Sequence, residues 1–173
     1  MMGEIMKKII TLVLVLTTIM TLAACGGGTQ DYNPYTRDLD EDAFAATLLA
    51  KIEFGDIMTE VDDDAAGVLY SLYGLTENDY DDLSVYMSTG ATAEEIAVIS
   101  VENEDQAAKV GAVLVDRIDA QIKSYENYAP DEVEKLSNAI VEQVDDVVIL
   151  IVCEDYEQYR TAKDDFLKNA AVD

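Results

Sequence analysis

The sequence predicts an α+β domain: a four-stranded antiparallel sheet of two hairpins, each followed by a helix, with helices packed on one face and two N-terminal helices. Three observations predict it. Residues 83–101 and 139–153 each place strand-forming residues on both sides of a turn region. Each stretch is followed by a helix-start pattern, Asn103-Glu104-Asp105-Gln106 and Asp155-Tyr156-Glu157-Gln158. Half of the 173 residues are hydrophobic, so a folded chain of about 150 residues can bury a single core.

The elements follow in order. A first helix is expected over 42–54, with Asp40, Glu41 and Asp42 at its positive end and Phe44, Leu48 and Ile52 on one face. Gly55 is expected to close it in the left-handed conformation. Residues 57–61 read as a short strand or extended link. Asp62-Asp63-Asp64 caps a second helix over 65–73, closed by Gly74. These two helices are expected to cover an edge or end of the sheet.

The first hairpin runs through strand 83–87, the turn residues Thr89-Gly90-Ala91-Thr92, and strand 95–101. In the returning strand Ile96 and Val98 point one way and Ala97, Ile99 and Val101 the other, the pattern of a central strand. The longest helix follows, with the stripe Ala107, Val110, Gly111, Leu114, Ile118, Ile122 and Tyr125, and with Lys109, Asp116, Asp119 and Lys123 outside it. Ala129-Pro130 ends it or separates it from a short helical turn reaching Leu136. The second hairpin comprises 139–144, an Asp145-Asp146 turn, and 147–153. A final helix turns Tyr159, Ala162 and Phe166 inward. The repeated order of strand, capping pattern and helix fits an internal duplication or simply shared helix-start chemistry.

Residues 1–24 read as an export signal. Lys7 and Lys8 precede an apolar run over 9–24, about sixteen residues against the roughly twenty that span a bilayer. A start at Met6 would give a cleaner positive region than one containing Glu4. The run ends in Leu22-Ala23-Ala24-Cys25, followed by Gly26-Gly27-Gly28, which resembles the lipobox of bacterial lipoproteins. The resemblance implies cleavage between Ala24 and Cys25 and a diacylglyceryl group on the Cys25 thiol, with palmitate as the expected kind of acyl chain. An ordinary signal peptide or an uncleaved anchor helix are the competing readings. Two acyl chains, at about 0.8 kcal/mol per buried methylene, hold a protein stably on a membrane. Residues 25–38 read as a flexible tether with a reach of roughly 20 Å, and residues 39–173 as a single acidic domain.

The chain has 11 Lys+Arg against 36 Asp+Glu, a formal charge of −25. Without residues 1–24 the balance is 9 − 35 = −26. Such a surface cannot neutralise phosphates, so nucleic acid is excluded as a partner. Docking of the protein surface on anionic lipid is disfavoured equally, which leaves the lipid on Cys25 as the expected membrane contact. The acids are dispersed, as solubility requires, although cationic partners would also be attracted. Cys153 is the only thiol besides Cys25, so no internal disulfide is expected once Cys25 carries lipid. Its apolar approach, 147–152, favours a buried, inert group. There is no histidine, which removes the Ser-His-Asp and Cys-His catalytic sets and the commonest zinc ligands.

Asp38-Leu39-Asp40-Glu41-Asp42 opens like a calcium loop, but Ala43 stands where its glycine belongs and Leu49 where its closing glutamate belongs. Asp79-Tyr80-Asp81-Asp82 and Asp62-Asp63-Asp64 could bind calcium weakly, against the plainer reading as solvated loops. Paired carboxylates could hydrolyse glycosides without histidine. With 35 acids, however, suitable pairs arise by abundance alone. No cofactor and no metal is expected. Four Tyr-x-x-Tyr pairs stand out, and Tyr125/Tyr128 and Tyr156/Tyr159 fall on helices, where the spacing sets both rings on one side. They are candidates for a ligand ledge, with core-edge packing as the alternative.

The segment Tyr86-Met87-Ser88-Thr89-Gly90-Ala91-Thr92-Ala93-Glu94-Glu95-Ile96-Ala97-Val98, with Tyr125-Glu126-Asn127-Tyr128-Ala129-Pro130, resembles the bacterial lipoproteins grouped as domain of unknown function 4358. The resemblance runs from the second helix onward. It implies an exported, lipid-anchored envelope domain and assigns no activity to any residue. The functional expectation is a non-enzymatic envelope module that binds another envelope protein or wall polymer. A carboxylate-dependent hydrolase of wall polymer and a weakly calcium-responsive surface domain are the alternatives.

Overall fold

A computed structural model describes residues 39–61 and 66–170. The residues expected to form a signal peptide and tether, Cys25 among them, and Asp62-Asp63-Asp64 lie outside the described residues. Five helices and five strands occur among those described: α1 (Glu41–Lys51), β1 (Thr59–Glu60), α2 (Ala66–Tyr73), β2 (Asp82–Met87), β3 (Glu95–Ser100), α3 (Glu104–Tyr128), α4 (Asp131–Ser137), β4 (Ile140–Val144), β5 (Val147–Val152) and α5 (Tyr156–Ala170).

The strands form one antiparallel sheet in the order β1-β2-β3-β5-β4. Both predicted hairpins are present, and β3 and β5 join them as the central pair, with Glu95 opposite Val152 and Ser100 opposite Val147. The sheet has five strands rather than four, because residues 59–60 pair with the end of β2.

The expected single helical layer is replaced by two. Every residue of β5 is buried, as are five of the six in β3, so both faces of the centre need cover. On one face Ala97, Ile99, Val148 and Leu150 pack with Leu69 of α2, Val110 and Leu114 of α3, and Leu136 of α4. On the other, Ile96, Val98, Ile149 and Ile151 pack with Phe44 and Leu48 of α1 and Tyr159 and Ala162 of α5. Phe44 and Phe166 close that layer with ring centroids 4.9 Å apart. The first two helices therefore take opposite faces instead of covering an edge or end. Each fully buried aliphatic or phenyl side chain contributes roughly 1.5–3 kcal/mol.

Local signals set most boundaries. Asp40 caps α1 by accepting from the Ala43 amide at 2.8 Å. Gly74, at φ +72°, ends α2 with its amide donating to the Tyr70 carbonyl. Gly55 does not cap α1. The helix ends at Lys51 because Ile52 turns into extended backbone to bury its side chain, and Gly55 is held elsewhere. Asn103 accepts from the Gln106 amide, as a capping box requires, while the Gln106 side chain donates to the Asn78 carbonyl instead of accepting from the Asn103 amide. Gln158 divides its side chain, Nε2 donating to Asp155 Oδ2 at 3.1 Å and Oε1 accepting from the Glu53 amide 105 residues away.

Candidate functional site

Where β2 ends and β3 begins, the chain Thr92-Ala93-Glu94-Glu95 places two adjacent carboxylates in the interior, with residue exposures of 1% and 0%. Side chains alternate along a strand, so the two are sent to opposite faces of the sheet. Each meets different partners there.

Glu95 faces the α2–α3 layer. Its Oε1 accepts from Tyr73 Oη at 2.7 Å and Arg117 Nε at 2.7 Å. Its Oε2 accepts from Arg117 Nη2 at 2.6 Å and Gln121 Nε2 at 3.3 Å. The guanidinium is thus bidentate on the carboxylate, the geometry that gives arginine its strongest ion pairs. It also stands 5.0 Å from the centre of the Tyr73 ring. Burial disfavours the Arg117 charge, but the hydrogen bonds and charge of Glu95 outweigh it and keep its pKa raised. Burial, reinforced by the Glu95 charge, pushes the Tyr73 phenol well above its usual value.

Glu94 faces the loop after α1. Its Oε1 accepts from the Gly55 amide at 2.8 Å and Lys135 Nζ at 3.3 Å. Its Oε2 accepts from the Asp56 amide and Thr92 Oγ1, both at 3.1 Å. A Cβ on Gly55 would lie 3.3 Å from Glu94 Oε1, so this close approach needs a residue without a side chain. Lys135 is shared with Glu132 at 3.0 Å; burial lowers its pKa, and Glu132 and Glu94 more than restore it.

The loop over 88–93 is fixed from outside. Asp56 accepts from the Thr89 hydroxyl and amide, Tyr125 Oη donates to the Thr92 carbonyl at 2.7 Å, and Glu132 accepts from the Ala93 amide at 2.8 Å. The two motifs that carry the family resemblance therefore meet at this end of the sheet. The Tyr125/Tyr128 pair forms an edge-on contact, and Tyr128 stands 70% exposed beside this loop.

The second tyrosine pair lies elsewhere. Tyr159 is buried under α5 and donates to Glu142, while Tyr156 Oη donates to the Lys135 carbonyl at 2.9 Å. Burial pushes the Tyr156 phenol up to about 12 and the Tyr159 phenol higher still. The structure thus presents Tyr128 to solvent and Tyr159 to the core, on opposite faces. Cys153 is buried, and burial pushes its thiol up to about 12, which keeps it an unreactive thiol at neutral pH. Cys25 and Ala24 lie outside the described residues.

Glu94, Glu95, Arg117, Gln121 and Lys135 escaped the sequence reading as a group. A signal was present: Val110, Leu114, Arg117 and Gln121 follow the i, i+4, i+7, i+11 course of a core-facing stripe, and the two acids open a strand otherwise apolar on both sides. Among the described residues no group of three or more Asp, Glu, Cys or His side chains could hold a metal ion. No helix there is long and apolar enough to cross a membrane.

The molecule is thus a two-faced antiparallel α/β domain whose chain crossing is fastened by internal carboxylates. It belongs to the family described as "Domain of unknown function (DUF4358)", whose model matches residues 51–153, 103 of 173 residues. The match starts as α1 ends and stops at Cys153, so it contains the sheet and all of the Glu94–Glu95 network. No curated protein and no solved structure matches the chain.

Proposed function

We propose that the chain is a lipid-anchored extracytoplasmic envelope module that works by binding rather than by catalysis. The observation that carries the anchor is Leu22-Ala23-Ala24-Cys25-Gly26 behind a short apolar run and two lysines. With a charge this negative, acyl chains are the effective means of holding it at an anionic membrane. The buried acids support the binding reading. Glu94 and Glu95 each accept four hydrogen bonds from the protein itself, which makes them structural fasteners and not groups offered to a substrate.

Geometry gives the module two ends. Glu41, at the start of α1, lies beside Ser100 and Asp82, whereas Gly55, just after α1, is held by Glu94. The domain is therefore entered from residue 39 at one end of β3, and the family motifs gather at the other, about 17 Å away along six strand residues. Tyr128 and Ile57, both largely exposed, lie at the motif end.

Cys25→Ser tests the anchor: it is expected to abolish incorporation of labelled palmitate and block processing, and unchanged labelling would defeat the lipobox reading. Capture of partners from detergent-solubilised membranes tests the binding role; recovery of the wild-type chain alone would count against a stable partner.

A further inference from the structure

The two edges of the sheet are unlike. The β1 edge is two residues long, and short edges resist further pairing. The β4 edge runs five residues, Ile140-Val141-Glu142-Gln143-Val144, and contains neither proline nor lysine.

The direction of its backbone groups follows from its neighbours. The Val101 amide donates to the Asp146 carbonyl, so the even-numbered residues of β5 bond towards β3 and the odd-numbered ones towards β4. Val147, Ile149 and Ile151 therefore bond Val144, Glu142 and Ile140. The amides and carbonyls of Val141 and Gln143 point away from the sheet, and no described residue takes them up. Two residues of the same strand, spaced by one, present the donor–acceptor pattern that an added strand reads.

A pocket of about 170 Å³ opens at the start of this edge, beside Asn138. Asp131, Glu134 and Glu154 line it with exposed carboxylates. Its one cation, Lys135, is 8% exposed and held closest by Glu132 at 3.0 Å and Glu94 at 3.3 Å, with Glu154 only at 4.0 Å and its side chain 81% exposed. The charge the pocket turns to solvent is thus negative.

We propose that the outer edge of β4 receives an extended segment of a partner protein, with a basic side chain of that segment seated in the Asp131–Glu134–Glu154 pocket. A second copy fits less well. Lys163 pairs the Glu142 carboxylate at 2.7 Å, so the repulsion is that of the whole surface: any register of self-pairing brings together two chains of charge −25. The proposal rests on reading the domain as a binding module and names the partner's chemistry; the labelling of Cys25 is independent of it.

The test uses the full chain purified in detergent and a capped peptide alternating threonine and valine with one terminal lysine. Amide exchange at Val141 and Gln143 is expected to be fast in the free protein and to slow by about tenfold or more with the peptide. A peptide with glutamate in place of lysine is expected to protect less, and Glu134→Gln with Glu154→Gln to remove that difference. Val141→Pro deletes an outward amide without touching the β4–β5 ladder, so it should abolish protection at Gln143 while circular dichroism stays unchanged. Unchanged exchange with the lysine peptide would overturn the proposal, as would slow exchange in the peptide-free chain, which would mean that the edge is already occupied. Equal protection by the glutamate peptide would overturn the assignment of a basic side chain. Wild-type protection at Gln143 in a folded Val141→Pro protein would overturn strand addition.

Discussion

Glu94 and Glu95 are neighbours in sequence and equally buried, yet they do different work. Glu95 is matched by one long cation, Arg117, and joins helix to sheet through a charge pair with a phenol and an amide at its margins. Glu94 is matched by two backbone amides, a hydroxyl and a lysine it shares, and joins a loop to the sheet. The difference teaches that a buried carboxylate can be satisfied by concentrated charge or by distributed dipoles, and that the two solutions should fail differently.

The largest effect should come from Arg117→Ala. It leaves the Glu95 carboxylate buried without its charge partner, a loss of about 3–5 kcal/mol read by denaturant unfolding. Replacing the group together, by Arg117→Met, Glu95→Leu and Tyr73→Phe, should recover most of that loss. If the triple variant is no more stable than Arg117→Ala, the description of Glu95 as a charge-pair anchor breaks.

Glu94→Gln should cost less, about 1–3 kcal/mol, because a neutral amide oxygen still accepts from one backbone donor while the others lose theirs. Its signature is local: faster amide exchange at Gly55 and Asp56 than across β3. Loss spread evenly over the sheet would show that Glu94 holds more than its loop.

The smallest contrast concerns alkali. Burial raises the phenols of Tyr73 on one face and of Tyr156 and Tyr159 on the other, and the ion pairs raise Lys135 against burial. Above the ordinary phenol pKa of about 10 the unfolded chain releases protons that the folded chain keeps, so stability falls as pH rises. Lys135 acts with the same sign, its contribution being complete below its unfolded pKa and lost as pH passes the raised folded value. Tyrosinate absorbance followed with circular dichroism should show late ionisation coincident with unfolding. Tyr159→Phe should relieve alkaline loss without disturbing Glu95, whereas Tyr73→Phe should relieve it at about 1 kcal/mol of neutral-pH stability. Full ionisation of all ten tyrosines with an intact fold would contradict both.

The hairpins, the long helix and the Ala129-Pro130 break were legible because each is written in local residue order. The apolar residues of β3 on both sides even marked it as central. What followed from that mark, helices on both faces, required knowing that α1 and α2 part company, which no window of sequence contains. The Glu94–Glu95 site was hidden for the same reason: Gly55, Tyr73, Arg117 and Lys135 are separated by up to 80 residues (135 − 55) and meet only in three dimensions. Gln158 shows the reverse error: the oxygen that a capping box returns to the cap amide accepts instead from the distant Glu53 amide, while Nε2 still bonds Asp155.

The pairing of β3 with β5 also sets the order in which the domain can be made. Its partners lie 47 (147 − 100) to 57 (152 − 95) residues apart, so the centre of the sheet cannot zip from a local turn. Closing that loop demands that α3 and α4 be laid down first, which places the chain among slower folders. A nascent chain that has not yet delivered Val147 to Val152 holds β3 with an open edge and apolar side chains on both sides. Until residues 147–152 arrive, close to the end of the 173-residue polypeptide, β3 depends on chaperones or on speed to escape aggregation.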